Sequence, residues 1–183
     1  MQIFDTPLKD MLVLKPDVFT DERGFFFESF NQKKFEDAVG KSVSFVQDNQ
    51  SCSRKNVLRG LHYQRTPHEQ GKLIHCISGC IYDVAVDIRP TSATYGKWFG
   101  KYLSSETKEQ LWIPEGFAHG FFTCSHEATI AYKVTSFYNP HAEVTIAWND
   151  PTINISWPIG TQPILSPKDA IAPLLADCCA EAV

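Results

Sequence analysis

The sequence predicts a mainly β fold, a sandwich or barrel of many short strands with a few short helices. Three observations carry this. Aromatic residues make up 13% of the 183-residue chain, with 13 Phe among them, and flat bulky side chains pack well on pleated surfaces. Strand-like runs recur at short, even spacing, with prolines and glycines in several gaps. Helical signals are few.

In chain order, Asp21-Glu22-Arg23-Gly24 separates Val18-Phe19 from Phe25-Phe26-Phe27-Glu28. This reads as a charged hairpin turn in which Gly24 supplies positive φ. It equally offers Arg23 as a phosphate ligand and Glu28 as a polar anchor. Asn31 to Gly40 predicts a short helix, with Asn31 as N-cap and Gly40 just past its end. Val43–Val46 is the first strand candidate after it. The run Gln47-Asp48-Asn49-Gln50-Ser51 is a polar loop or, because carboxamides both donate and accept, a match for the edge of a pyrimidine base.

Leu73–Ile77 is strand-like. Tyr82–Arg89 alternates strictly, with Tyr82, Val84, Val86 and Ile88 on one face and Asp83, Ala85, Asp87 and Arg89 on the other. Lys97–Leu103, Gln110–Ile113, Thr129–Phe137 and Val144–Trp148 complete the strand candidates. Ser166-Pro167-Lys168-Asp169 predicts a helix start, with Ser166 as N-cap, Pro167 first in the helix and Asp169 as the capping acid. Nothing marks a second domain, so residues 1–183 are expected to form one.

Composition narrows function by exclusion. Net charge is −4 with scattered basic residues, which is no nucleic-acid footprint. No apolar run of about 18 residues occurs, so no membrane span is expected. The N-terminus lacks a signal-peptide pattern, and a cytoplasmic location is expected. Six cysteines without CxxC or zinc-finger spacing read as free thiols there, Cys76 and Cys80 as small buried hydrophobes.

The chemistry gathers in Arg59-Gly60-Leu61-His62-Tyr63-Gln64. A fixed cation suits an anion, and an imidazole suits proton removal at neutral pH. On a regular strand Arg59 and His62 would face opposite ways. For both to serve one pocket, the pleat must break at Gly60. Lys72 reads as a solvated strand end or as a cation beside a developing enolate oxygen. Tyr132 shares a face with Ile130 and Val134, so it is a packed tyrosine or a general acid in a dry pocket. Tyr138, six residues on, could stack on a base.

Trp112 to Phe121 contains P-x-G-x-x-H (Pro114, Gly116, His119), the core of the second metal motif of cupin barrels. The first motif wants H-x-H, and His62 is followed by Tyr63 and Gln64. One histidine does not hold a metal, so a cupin-type barrel without metal is expected, leaving His119 as a hydrogen-bond donor or phosphate partner.

Taken jointly, these stretches, with Asp83 to Arg89, Tyr132-Lys133, Trp148 to Pro151 and Leu165 to Asp169, resemble the dTDP-4-dehydrorhamnose 3,5-epimerase family. The resemblance implies a cupin-type double-stranded β-helix (jelly-roll) barrel and a homodimer, with no metal and no organic cofactor. N-terminal strands around Arg23 and Phe26 would reach the partner subunit. It implies a dTDP-keto-sugar substrate, inverted at C3 and C5 beside its 4-keto group. His62 would be the base, Asp169 its carboxylate partner, Tyr132 the acid and Lys72 the residue beside the keto oxygen. Arg23, Glu28, Gln47, Asp48, Asn49, Arg59, Lys72, His119, Glu143 and Lys168 would contact substrate, and Tyr138 would stack on thymine. A single-centre epimerase of a related keto-sugar nucleotide and a non-catalytic sugar-nucleotide-binding cupin are the rival readings.

Overall fold

A computed structural model describes residues 1–178. The strands are β1 (Gln2–Asp5), β2 (Leu12–Lys15), β3 (Val18–Asp21), β4 (Gly24–Phe27), β5 (Gln47–Arg54), β6 (Leu58–Gln64) and β7 (Lys72–Ser78). They continue with β8 (Cys80–Asp87), β9 (Trp98–Ser104), β10 (Gln110–Ile113), β11 (Phe117–Thr123), β12 (Glu127–Val134) and β13 (Glu143–Thr145). Three short helices are α1 (Gln32–Val39), α2 (Pro167–Ala170) and α3 (Leu175–Cys178).

The strands form two antiparallel sheets and a separate hairpin. One sheet has the order β1-β2-β10-β7-β12-β5, the other β13-β6-β11-β8-β9, and among the described residues β3 pairs only with β4. Side chains from both sheets meet between them: Ile74, Leu111, Ile113 and Ile130 from the six-stranded sheet, Ile81, Leu103 and Phe117 from the five-stranded one. This is the predicted β architecture, with hydrophobic burial between two layers as its main driving force.

Each sheet also buries its outer face. Helix α1 lays Phe35 against Leu14, Leu73 and Trp112, with Val43 and Phe45 beside it. Phe35 meets Trp112 edge-on at 5.1 Å between ring centres, a favoured aromatic geometry. The five-stranded sheet is covered by the chain from Ile146 to Cys178. This explains the alternation in β8. Val84 and Val86 face outward under that cover, while Ala85 joins the core between the sheets and Asp83, two residues from it, is fully buried.

Helix α1 has the predicted caps: the Asn31 side chain accepts from the Lys34 amide, and Gly40 adopts the left-handed conformation with φ 70°. Ser166 caps α2 in the same way, accepting from the Asp169 amide. Two expectations need correcting. Val43–Val46 is not a strand; Val43 and Phe45 instead pack on Phe35 and Trp112. The polar run from Gln47 is not a loop but β5, an edge strand paired along its length with β12. The thiols of Cys76 and Cys124 are pushed by burial up to about 11, as expected of packing residues rather than nucleophiles. Cys179 lies outside the described residues.

Candidate active site

A cavity of about 400 Å³ opens between the two sheets. Its five-stranded wall carries Arg59 and His62 on β6 and His119 on β11; its six-stranded wall carries Asn49 on β5, Lys72 on β7 and Tyr132 on β12. Lys168 and Asp169 enter from α2.

The pleat breaks where the sequence requires it. Phe121 pairs with Arg59, but His119 pairs with His62, so β6 has one extra residue between them. Gly60 sits there at φ 120°, and the Gly60–Leu61 peptide is cis. A Cβ on Gly60 would lie 2.5 Å from the Gly120 Cα, and one on Gly120 would lie 2.7 Å from the Arg59 carbonyl oxygen. The two backbones approach more closely than any other residue allows. The bulge turns Arg59 and His62 into the same cavity and sets His62 and His119 abreast.

His62 Nε2 is 2.6 Å from Asp169 Oδ1. Ser166 donates its hydroxyl to Asp169 Oδ2 at 2.7 Å. Burial pushes the Asp169 carboxyl up, but the hydrogen bonds from His62 and Ser166 outweigh it and hold the group below its ordinary value. Asp169 is therefore ionised at neutral pH and accepts from His62 Nε2, which leaves Nδ1 as the basic nitrogen. Asp169 is thus held by the helix cap and holds the imidazole: its amide donates to Ser166 Oγ while its carboxylate accepts from His62.

Tyr132 stands on the opposite sheet. Burial raises its phenol above the ordinary value, against the opposing charge of Arg59, so the group keeps its proton at neutral pH. Lys72 is 7% exposed, and burial brings its ammonium down to about 8, with Glu115 and Glu143 opposing. Among the described residues its Nζ donates only a long bond, 3.4 Å, to the Gln70 carbonyl. It is a cation with donors to spare, facing the cavity.

The remaining predicted residues divide. Gln47, Asn49, Arg59, His119, Tyr138, Glu143 and Lys168 line the cavity. Gln47 donates to Asn49 Oδ1 at 2.8 Å and accepts from the Tyr138 amide at 3.0 Å. Glu143 accepts from Lys168 at 2.7 Å and from the Tyr138 hydroxyl at 3.2 Å. Asp48 is not brought to the site: β5 alternates, and Asp48 pairs on the other face with Lys133 at 3.0 Å. Arg23 and Glu28 also lie outside this cavity. Arg23 is exposed at the β3–β4 turn beside Asp21, and Glu28 holds Lys34 at 2.8 Å. Sequence reasoning missed Ser51, which lines the cavity with its buried hydroxyl unpartnered among the described residues. Its parity with Gln47 and Asn49 would have revealed it, had β5 been recognised as a strand.

A histidine with an ionised carboxylate partner on one wall, and a protonated phenol and a desolvated ammonium on the other, can take a proton from one face of a carbon acid and return one to the opposite face. The comparisons agree with that chemistry. A family model described as dTDP-4-dehydrorhamnose 3,5-epimerase matches residues 5–177. A dTDP-4-dehydrorhamnose 3,5-epimerase of Salmonella typhimurium is 58% identical over 175 residues, covering 96% of each chain. The crystal structure of a dTDP-6-deoxy-D-glucose-3,5-epimerase from Legionella pneumophila with dTDP-4-keto-L-rhamnose is 50% identical, with a TM-score of 0.93 over 96% of this chain and 93% of that one. A 3'-monoepimerase from Streptomyces bikiniensis, in complex with dTDP-quinovose, is 31% identical with a TM-score of 0.90, over 96% and 88% of the two chains. The chain belongs to the dTDP-4-dehydrorhamnose 3,5-epimerase family.

Proposed function

We propose that the chain epimerises dTDP-4-dehydro-6-deoxy-D-glucose at C3 and C5 to dTDP-4-dehydro-L-rhamnose, without a cofactor, in dTDP-L-rhamnose biosynthesis. One observation carries the reading: the His62–Asp169 dyad and the Tyr132 phenol rise from opposite sheets into one cavity. Inversion needs a base and an acid on opposite faces of the same carbon.

The 4-keto group acidifies the hydrogens on C3 and C5. His62 Nδ1 removes one, and the C–H electron pair becomes the enolate. Lys72 holds the oxygen where negative charge develops. Tyr132 delivers its proton to the opposite face and the ketone re-forms. The proton balance closes when the imidazolium returns its proton to solvent and the phenolate regains one. Arg59 and Lys168 supply the positive charge that a diphosphate requires, and His119 a ring nitrogen beside them.

The working form in this reading is a homodimer. Hairpin β3–β4 exposes Phe19 at 65%, Phe25 at 60% and Phe26 at 70%, an apolar surface that a second copy would cover. Arg23 and Glu28 border it, so their substrate role would be exercised across that interface. The cytoplasmic location rests on free thiols and on a keto-sugar nucleotide substrate; no helix among the described residues is long and apolar enough to cross a membrane.

The test is deuterium uptake from D2O into dTDP-4-keto-6-deoxyglucose, followed at C3 and C5 by NMR. Label and inversion at both carbons are expected. Label at one carbon would make this a single-centre epimerase, and no label with nucleotide still bound would sink the catalytic reading.

A further inference from the structure

Beside the cavity lies a second histidine–carboxylate pair, whose carboxylate the proposed chemistry leaves without a role. His119 Nε2 is 2.8 Å from Asp83 Oδ1. Asp83 is fully buried on β8, the strand paired with the β11 that carries His119. Asp83 Oδ2 has no hydrogen-bond partner among the described residues. A buried carboxylate with one acceptor empty costs free energy, and no packing role requires it: Ile81 and Ala85, its neighbours on the same face, are apolar.

The placement indicates what the cost is for. His119 is abreast of His62 on the adjoining strand, with Arg59 across from Phe121 two residues on. Its ring lines the cavity, and Nδ1 has no hydrogen-bond partner among the described residues. We propose that Asp83 is a positioning residue for substrate binding, holding the His119 ring by Nε2 as a cation whose Nδ1 donates to the diphosphate of the sugar nucleotide. This rests on the reading above, which supplies the diphosphate.

The electrostatics agree. Burial pushes the Asp83 carboxyl up, with His119 pulling the other way and the net effect upward. A carboxylate charge left alone in that place is disfavoured, so Asp83 calls for a donor, which the ring supplies at Nε2. An anion on the Nδ1 side of the ring would put negative charge on both sides of it, which favours a protonated ring in the complex. The other charged or titratable groups near this corner include Arg59 and His62 on β6 and the buried Cys76 thiol, which feels the Asp83 charge.

The experiment measures dTDP affinity by calorimetry, apart from turnover, in the full-length protein. Asp83→Asn keeps the shape and removes the charge. It should weaken dTDP binding about ten- to a hundred-fold, the range for losing a charged hydrogen-bond partner, with the kinetic loss falling on KM more than on kcat. On a His119→Gln background the same substitution should have no further effect on affinity. Unchanged affinity in Asp83→Asn, or a loss that persists in full beside His119→Gln, overturns the proposal. Should Asp83→Asn fail to fold, nitrogen NMR of the wild-type dTDP complex decides it: both His119 ring nitrogens protonated supports the assignment, and a neutral ring overturns it. A wild-type protein that does not bind dTDP at all would fail the parent reading instead, and this one with it.

Discussion

Two histidines stand side by side on β6 and β11, each backed by an aspartate, yet their surroundings are unlike. Asp169 comes from a helix start, is saturated by Ser166 and His62, and is held ionised below its ordinary value. Asp83 comes from mid-strand, has an empty oxygen, and is pushed upward by burial. The His62 side chain is 26% exposed and that of His119 11%. The same two residue types thus make one pair with a saturated, ionised carboxylate and another whose carboxylate is short of a donor. The difference lies in how fully each carboxylate is solvated by donors, not in the histidines.

The largest effect should come from His62→Ala. Losing a general base costs about 10²–10⁴ in rate, so deuterium uptake at both carbons should drop by about that factor while dTDP still binds. Near-normal turnover in His62→Ala would break the comparison at its first term. Next is Asp169→Asn, which removes the charge behind His62. A drop in kcat of about 10²-fold is expected, with KM little changed, the reverse of the split expected at Asp83. Tyr132→Phe divides base from acid: proton removal at C3 and C5 should survive as deuterium exchange with retention, while inversion falls about 10²-fold. Equal loss of exchange and inversion would place Tyr132 in the enolisation step itself.

How much of this was legible in sequence depends on the range of the interaction. The α1 caps at Asn31 and Gly40, and the Ser166 cap, were readable because they act within four residues. The break at Gly60 was readable because parity is a local property. Strand β5 was not: Gln47 to Ser51 lacks β-branched and aromatic residues, and only pairing with β12 and a cavity on one face make it a strand. Val43–Val46 failed in the opposite sense, since its apolar side chains are used against Phe35 and Trp112 rather than in a sheet. The pairing of His62 with Asp169 spans 107 residues and came only through family resemblance. The Asp83 face of β8 read as the polar side of an alternating strand, but the C-terminal cover takes the apolar side and leaves Asp83 pointing inward.

The smallest effect is on stability, and there the two pairs should differ in sign. Asp169 is depressed in the folded protein, so its contribution is present above the ordinary carboxylate value, near 3.8, and is lost as pH falls through the folded value. Asp83 is raised, so between 3.8 and its folded value the folded protein binds more protons than the unfolded chain. Its contribution is therefore favourable at low pH and declines as pH rises through that window. One proton changes unfolding free energy by at most about 1.4 kcal/mol per pH unit. Urea unfolding from pH 2 to pH 7, which spans the region below 3.8 for Asp169 and above it for Asp83, should show it. Relative to wild type, Asp83→Asn should gain stability as pH rises, because it lacks the carboxyl that loses its proton, and Asp169→Asn should lose less on acidification. Parallel pH slopes in the two variants would mean that the carboxylates are equivalent, and that the histidines differ for some reason other than the donors around their partners.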